Sequence, residues 1–277
     1  MKNLLIVGAR SSIASSFIKN YQGQYKLIIA DYKDNYDIRL DLTKEYFTFP
    51  KDLHIHKAII FSSLTNIEKI ESNKELAKQI NFYGTIALVS ALNRIGCKCL
   101  FLSSNTVFAN NAIGTSEADV TFPNTYYGEL KLKTEQVILK SNLNTVLRMT
   151  KVFNNNSILK SWLDRLSNNL TVNAYSNLRV APLPYLFVLN WISVWLDSDS
   201  SGIYHLSPDT DICYEDLCKY LCACSGYDIN LIETTCAPAL INFNPLKAYL
   251  ECTRKQSQAH DLSKCLKQII FELFNPE

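Results

Sequence analysis

Gly8 to Ala14 reads GARSSIA, and it follows the apolar run Asn3 to Val7, NLLIV. A short buried strand leading through small residues into a helix is what a phosphate-binding loop requires. The turn must be tight, a small residue must stand where backbone meets pyrophosphate, and another where helix meets strand, with helix N–H groups facing the anion. Gly8, Ser11 and Ala14 occupy those three positions, and Arg10, Ser12 and Ile13 complete the loop. Only one of the three is glycine, so the loop is read together with the next apolar run, KLIIAD, which ends in Asp31. A carboxylate at the end of the second strand accepts hydrogen bonds from an adenosine ribose and disfavours a 2′-phosphate. Arg10 pulls the other way, because a guanidinium in the loop pairs with that phosphate. The cofactor is therefore NAD or NADP.

Outward from the loop, short apolar runs alternate with longer amphipathic ones. The strands are read at Asn3 to Ala9, Lys26 to Asp31, Lys57 to Ser63, Lys98 to Ser104 and Asn144 to Met149, all apolar enough to be buried on both faces. Helical periodicity fills Ile13 to Asn20, Lys74 to Ile95 and Tyr127 to Ser141. Such alternation predicts an α/β fold, a Rossmann-like doubly wound parallel sheet with a smaller C-terminal substrate-binding lobe. From Lys151 the pattern loosens into asparagine-rich turns, FNNNS and SNN. Helices near Ile158 to Leu166, Leu186 to Leu196, Tyr214 to Ser225 and Leu262 to Phe274 follow, with a strand at GIYHLS, Gly202 to Ser207. The expected boundary lies near Phe153, giving a dinucleotide domain at 1–153 and a lobe at 154–277, with GIYHLS returning to the main sheet.

The bulk properties narrow the partners. In 277 residues, 47% are hydrophobic and 19% charged, the balance of a globular chain. A net charge of +2 argues against a nucleic-acid or anionic-membrane surface. The opening run is interrupted by Arg10 and reads as a buried strand rather than an export signal, and Leu183 to Leu196 is broken by Asn190 and too short to span a bilayer. The expectation is a soluble cytoplasmic protein. Nine cysteines include four in CYEDLCKYLCAC, without paired C-x-x-C spacing or a neighbouring histidine, so they read as buried reduced thiols and no metal site is expected.

A second stretch carries chemistry. Thr125 to Glu135 reads TYYGELKLKTE and places Tyr127 and Lys131 one helical turn apart. A phenol can protonate a carbonyl oxygen while hydride reaches its carbon, and an ammonium one turn away would lower the phenol's pKa. The strand before this helix ends in Ser103 and Ser104, where the carboxyl ends of parallel strands form a ligand crevice.

Taken in order, GARSSIA, Asp31, DLT at Asp41, NFYGT at Asn81, SSNTVF at Ser103, YGELKLKTE at Tyr127, LR at Arg148 and GIYHLS at Gly202 resemble the extended short-chain dehydrogenase/reductases, the epimerase, dehydratase and reductase family acting on nucleotide sugars. Within it the chain is most similar to the dTDP-4-dehydrorhamnose reductase-like proteins. The resemblance implies that Asp41 and Leu42 contact adenine, Ser62 and Ser63 line the adenosine ribose, and Asn81 supports the active site and cofactor. It makes Tyr127 the general acid, Lys131 its partner and a ribose ligand, and Ser104 the hydroxyl on the substrate carbonyl. Asn105 and Arg179 are expected at the substrate, Arg179 near its diphosphate, and the family form is a homodimer. Asn105 and Thr106 stand where dehydratases carry Asp-Glu, which disfavours dehydration. The expected reaction is NAD(P)H-dependent reduction of a keto-deoxysugar on a nucleoside diphosphate, serving surface-polysaccharide synthesis. The alternatives are a nucleotide-sugar epimerase and a non-catalytic dinucleotide-binding regulator or scaffold.

Overall fold

A computed structural model describes residues 3–112, 114–153, 157–238 and 244–275, with backbone alone at 51, 67 and 68. The chain forms two compact units. The first comprises Met1–Val107, Thr121–Arg148 and Trp191–Tyr204, the second Phe108–Val120, Met149–Asn190 and His205–Glu277. Relative to a single boundary near Phe153, 108–120 therefore belongs with the second unit and 191–204 with the first. Side chains explain both. Glu117 accepts from Thr253 N at 3.1 Å and Thr253 Oγ1 at 2.6 Å within the second unit. Lys57 Nζ donates to the carbonyls of Trp195 and Leu196 at 3.0 and 2.9 Å within the first.

The first unit runs β1 (Asn3–Val7), α1 (Ser12–Tyr21), β2 (Lys26–Asp31), β3 (Ile38–Arg39), β4 (Ile55–Ile60), α2 (Ile67–Ser72), α3 (Lys74–Lys78), α4 (Thr85–Arg94), β5 (Lys98–Ser104), α5 (Tyr126–Ile138) and β6 (Asn144–Met149). β1 pairs in parallel with β2, Val7 opposite Ala30, and on its other side with β4, Val7 opposite Ile60. The chain thus winds outward to β2 and β3, then returns across β1 to β4, β5 and β6. The order reverses between β1 and β4, which is the switch point where such sheets open a ligand crevice. Leu5, Val7, Ala58 and Phe101 of the strands pack against Leu88, Leu92 and Ile138 of α4 and α5. Each of the larger of these side chains contributes roughly 1.5–3 kcal/mol by leaving water.

The second unit adds β7 (Lys151–Phe153), α6 (Ile158–Leu166), β8 (Val172–Tyr175), β9 (Arg179–Val180) and β10 (Pro182–Pro184), then α7 (Tyr185–Leu196), whose second half belongs to the first unit. β11 (Gly202–Pro208), β12 (Ile212–Cys213), α8 (Tyr214–Ser225), β13 (Ile232–Thr235), β14 (Gln258–His260) and α9 (Leu262–Phe274) complete it. β11 is split: its first residues lie in the first unit, and its later ones pair with β14, Leu206 opposite Gln258. Counted through that strand, the sheet has eight members in the order β3-β2-β1-β4-β5-β6-β11-β14. GIYHLS does return to the main sheet. The unit's own core joins Leu159, Trp162 and Leu166 to Leu217, Leu221, Leu266 and Ile269. Cys218 and Cys222 are buried within it, and all nine cysteines are free. Among the described residues no helix is long and apolar enough to cross a membrane.

Several elements depart from the sequence reading. The helix expected over Lys74 to Ile95 is three pieces, because Gln79–Gly84 winds with π geometry between α3 and α4. α2 and the short strand pairs β7–β10, β8–β13 and β9–β12 carry too few periodic residues to be seen in sequence. Of the asparagine-rich turn FNNNS, residues 154–156 lie outside the described residues, whereas SNN ends α6 with Asn169 at φ 55°.

Candidate active site

The loop after β1 is built on close approach. Gly8 has φ +86°, and a Cβ there would lie 2.3 Å from Ser62 Oγ and 2.7 Å from Ser62 N, so the turn beyond β1 lies directly against the end of β4. Ser11 caps α1, its Oγ accepting from Ala14 N at 3.4 Å, and Ala14 is fully buried where the helix meets the sheet. The N–H groups of α1's first turn have no helix carbonyl to bind, and Ser12 and Ile13 carry that turn above the switch point. This arrangement fits a pyrophosphate.

Asp31 and Arg10 have separate tasks. Asp31 is buried, and its carboxylate accepts from Arg10 N at 3.3 Å and Tyr32 N at 2.9 Å, so it fixes the loop backbone. The exposed Arg10 guanidinium stands over the Tyr32 ring, 5.1 Å from its centre, and donates to the Tyr32 hydroxyl. Tyr32 has no sequence signal beyond its place next to Asp31. At the neighbouring turn, Asp41 Oδ1 accepts from Thr43 N and Oγ1 at 2.9 and 2.8 Å, and the Thr43 N–H holds its pKa below the usual carboxylate range. Leu42 beside it is buried.

The π turn aims Asn81 at the segment after β4. Asn81 Oδ1 accepts from Leu64 N at 2.8 Å and Ser63 Oγ at 3.2 Å, and its Nδ2 donates to Leu64 O at 2.8 Å. Its carbonyl accepts from Thr134 Oγ1 of α5 at 2.8 Å. Asn81 is therefore a brace between the β4 end and the helix bearing Tyr127.

α5 is locked at both ends. At its start, a Cβ on Gly128 would lie 2.2 Å from the Thr106 carbonyl, so only glycine lets the helix lie this close to the end of β5. Farther along, the buried Glu135 carboxylate receives Arg148 Nε at 3.2 and 3.1 Å, Arg148 Nη2 at 2.7 Å, and the Ser103 hydroxyl. Ser103 thus binds inside the fold rather than in the crevice, as strand alternation dictates for the neighbour of Ser104. Ser104 Oγ lies 3.3 Å from Asn105 Oδ1 and accepts from Thr106 N at 3.2 Å. The Thr106 hydroxyl is buried without a partner.

Tyr127 sits between these features, half-buried against Leu64, Phe82 and Leu130. Burial pushes its phenol up to about 12, offset in part by a hydrogen bond with Ser63. Lys131 is buried, donates from Nζ to Leu102 O at 2.8 Å, and lies over the rings of Phe101 and Tyr127 at 4.5 and 5.6 Å. Desolvation brings its pKa down to about 7, against the pull of Glu135. The expected lowering of the phenol by an adjacent ammonium is thus not found, because desolvation dominates both groups and Lys131 Nζ donates to a backbone carbonyl.

Arg179 lies in the second unit, with Nε donating to Asp211 Oδ1 at 2.6 Å and Nη2 to Asp211 O at 3.2 Å. Asp211 is buried and also accepts from Ala248 N at 2.6 Å. The guanidinium is therefore anchored to its own unit. Among the described residues no cluster of three or more histidine, cysteine or acidic side chains is arranged to hold a metal.

A doubly wound sheet with a phosphate loop at its switch point, and a tyrosine, a lysine and a serine at the end of its fifth strand, defines an α/β protein of the dinucleotide-binding type. The chain belongs to the family described as the RmlD substrate binding domain, matched over residues 1–260. Its fold is that of dTDP-4-dehydrorhamnose reductase from Bacillus anthracis, solved in complex with NADP, with a TM-score of 0.85, 17% identity, and 98% of this chain and 99% of that one covered. UDP-glucose 4-epimerase from Thermotoga maritima, solved with UDP-glucose, aligns with a TM-score of 0.80 and 15% identity over 98% of both chains. DesIV, a dTDP-glucose 4,6-dehydratase from Streptomyces venezuelae with NAD and TYD bound, aligns with a TM-score of 0.77 and 14% identity over 99% of this chain and 97% of that one. No curated protein matches.

Proposed function

We propose that this protein reduces a keto group of a deoxysugar carried on a nucleoside diphosphate, using NADPH in preference to NADH. The observation that carries the reading is that α5, which bears Tyr127 and Lys131, is held against the end of β5, where Ser104 lies, by Gly128, Asn81 and Glu135. Residues Gly8 to Ile13 hold the pyrophosphate, Asp41 and Leu42 the adenine, Ser62 and Ser63 the adenosine ribose, and Lys131 the nicotinamide ribose. The bound reduced nicotinamide supplies hydride to the carbonyl carbon. Tyr127 gives its proton to the carbonyl oxygen, which Ser104 Oγ orients by hydrogen bonding. A phenol near 12 is fully protonated at neutral pH, so it is loaded as an acid. That favours reduction over a cycle that must begin by taking a proton. Asn105 and Thr106 offer an amide and a hydroxyl but no carboxylate to remove a carbon-bound proton, which supports reduction over dehydration.

The preference for NADPH rests on Arg10. Asp31 is buried and bonded to two backbone N–H groups, whereas Arg10 is exposed and braced on Tyr32, which supports the reading that its positive group receives a 2′-phosphate. The same reading includes a cytoplasmic homodimer formed through α4 and α5, binding of the sugar nucleotide by the second unit, and a place in the supply of surface-polysaccharide sugars.

The test is direct. Purified protein is mixed with NADPH and a panel of dTDP- and UDP-linked 4-keto-6-deoxysugars, and loss of reduced nicotinamide is compared with the 4-hydroxy deoxysugar nucleotide formed. One NADPH consumed per product is expected. Interconversion of sugar epimers without net NADPH loss would assign an epimerase instead, and neither NADPH binding nor turnover would leave a scaffold.

A further inference from the structure

The π turn Gln79–Gly84 joins three parts of the first unit that the proposed reaction uses separately. Gln79 Nε2 donates to Thr43 O at 3.1 Å, and Gly84 lacks the Cβ that would run into the Leu42 carbonyl, so the turn lies against the segment proposed to hold adenine. The Asn81 side chain binds Ser63, proposed to hold the adenosine ribose, and the neighbouring Leu64 backbone. The Asn81 carbonyl reaches α5 through Thr134 Oγ1, at 2.8 Å.

Winding with an extra residue per turn takes carbonyls out of the ordinary helical ladder, and buried carbonyls need other donors. Threonine hydroxyls supply two of them. Thr85 Oγ1 donates to Ile80 O at 2.9 Å, as Thr134 Oγ1 does to Asn81 O. Thr134 is fully buried, and its hydroxyl also lies 2.8 Å from Leu130 O, the carbonyl one turn back that a helical threonine ordinarily binds. A hydroxyl has a single hydrogen, so the two carbonyls share it. Tyr127, Lys131 and Thr134 are spaced so that they lie along one face of α5, and this bond is therefore made on the face that carries the reacting groups. Gly128 and Glu135 fix the same helix to Thr106, Ser103 and Arg148, none of which is assigned to adenosine.

We propose that Thr134 is a positioning residue, linking α5 to the π turn so that seating the adenosine end of the cofactor brings Tyr127 and Lys131 to their working height at the end of β5. This deepens the reading of the chain as an NAD(P)H-dependent reductase and rests on it. Thr134 touches neither cofactor nor substrate in this scheme; it acts through the Asn81 carbonyl.

Amide hydrogen exchange over α1 and α5 tests the link, in wild type, Thr134→Val and Thr134→Ser, with and without adenosine 2′,5′-bisphosphate or AMP, the adenosine halves of NADPH and NADH. In wild type the fragment slows exchange in α1, beside its phosphate, and in α5, which it does not touch. Thr134→Val keeps the protection of α1 and loses that of α5, and Thr134→Ser keeps both. In steady-state reduction Thr134→Val lowers kcat by roughly ten- to a hundredfold, as a misplaced catalytic group does, with the KM for NADPH changing far less, and Thr134→Ser restores it. Protection of α1 without α5 in wild type, or equal protection of α5 in wild type and Thr134→Val, overturns the proposal and leaves the reductase reading standing. Where the valine variant does not fold, wild-type protection of α5 supports the link and its absence overturns it. Wild type that binds neither the fragments nor NADPH nor NADH overturns both the link and the reductase reading.

Discussion

Lys131 Nζ lies 5.6 Å over the Tyr127 ring and gives its hydrogen bond to the Leu102 carbonyl. The pair is therefore stored with the phenol protonated and the amine near its titration point. Replacing Tyr127 by phenylalanine removes the proton donor but keeps the ring against Leu64, Phe82 and Leu130. Turnover should fall by about 10²–10⁴-fold with NADPH affinity unchanged. Undiminished reduction by this variant would falsify the role given to Tyr127.

The lysine also writes a pH signature on stability. Its pKa is about 7 in the folded chain and near ~10.4 when unfolded, so between those values the unfolded state holds a proton that the folded state lacks. Its contribution to folding stability therefore rises as pH increases from about 7 towards 10. Urea midpoints of wild type and Lys131→Met, followed across this window, should diverge, with the wild-type curve the steeper. Parallel curves would mean that Lys131 does not titrate there.

Arg10 and Tyr32 predict a cofactor switch. Arg10→Ala should weaken NADPH by roughly ten- to a hundredfold, the range of a lost charge-assisted hydrogen bond, and leave NADH nearly unaffected. Tyr32→Ala should reproduce part of that loss, because it removes the ring beneath the guanidinium. Fluorescence titration with both nucleotides decides it, and equal losses for the two would defeat the 2′-phosphate assignment.

Glu135 tests the brace rather than the chemistry. Glu135→Ala leaves the Arg148 charge buried with its carboxylate gone and should cost about 3–5 kcal/mol of stability. Chemical denaturation provides the measurement. A loss near zero would show that water or another group replaces the carboxylate.

What was legible in the sequence was whatever local periodicity or composition could write. β2, β5, β6, α6, α8 and α9 have the limits their apolar patterns predict, since each buries a face that repeats regularly. The π turn was invisible, because one extra residue per turn leaves NFYGT looking like ordinary helix, and the Leu64 backbone that its Asn81 binds is distant in sequence. Ser103 and Ser104 could not be separated either until the pleat sent one hydroxyl to Glu135. The charge states of Tyr127 and Lys131 depend on how much protein surrounds them, which spacing does not record.

The path of the chain has an evolutionary consequence. Each unit is assembled from three separate stretches, and β11 passes from one to the other in mid-strand. No single crossover between related genes can exchange one unit whole, because five junctions along the chain separate the stretches of one unit from those of the other.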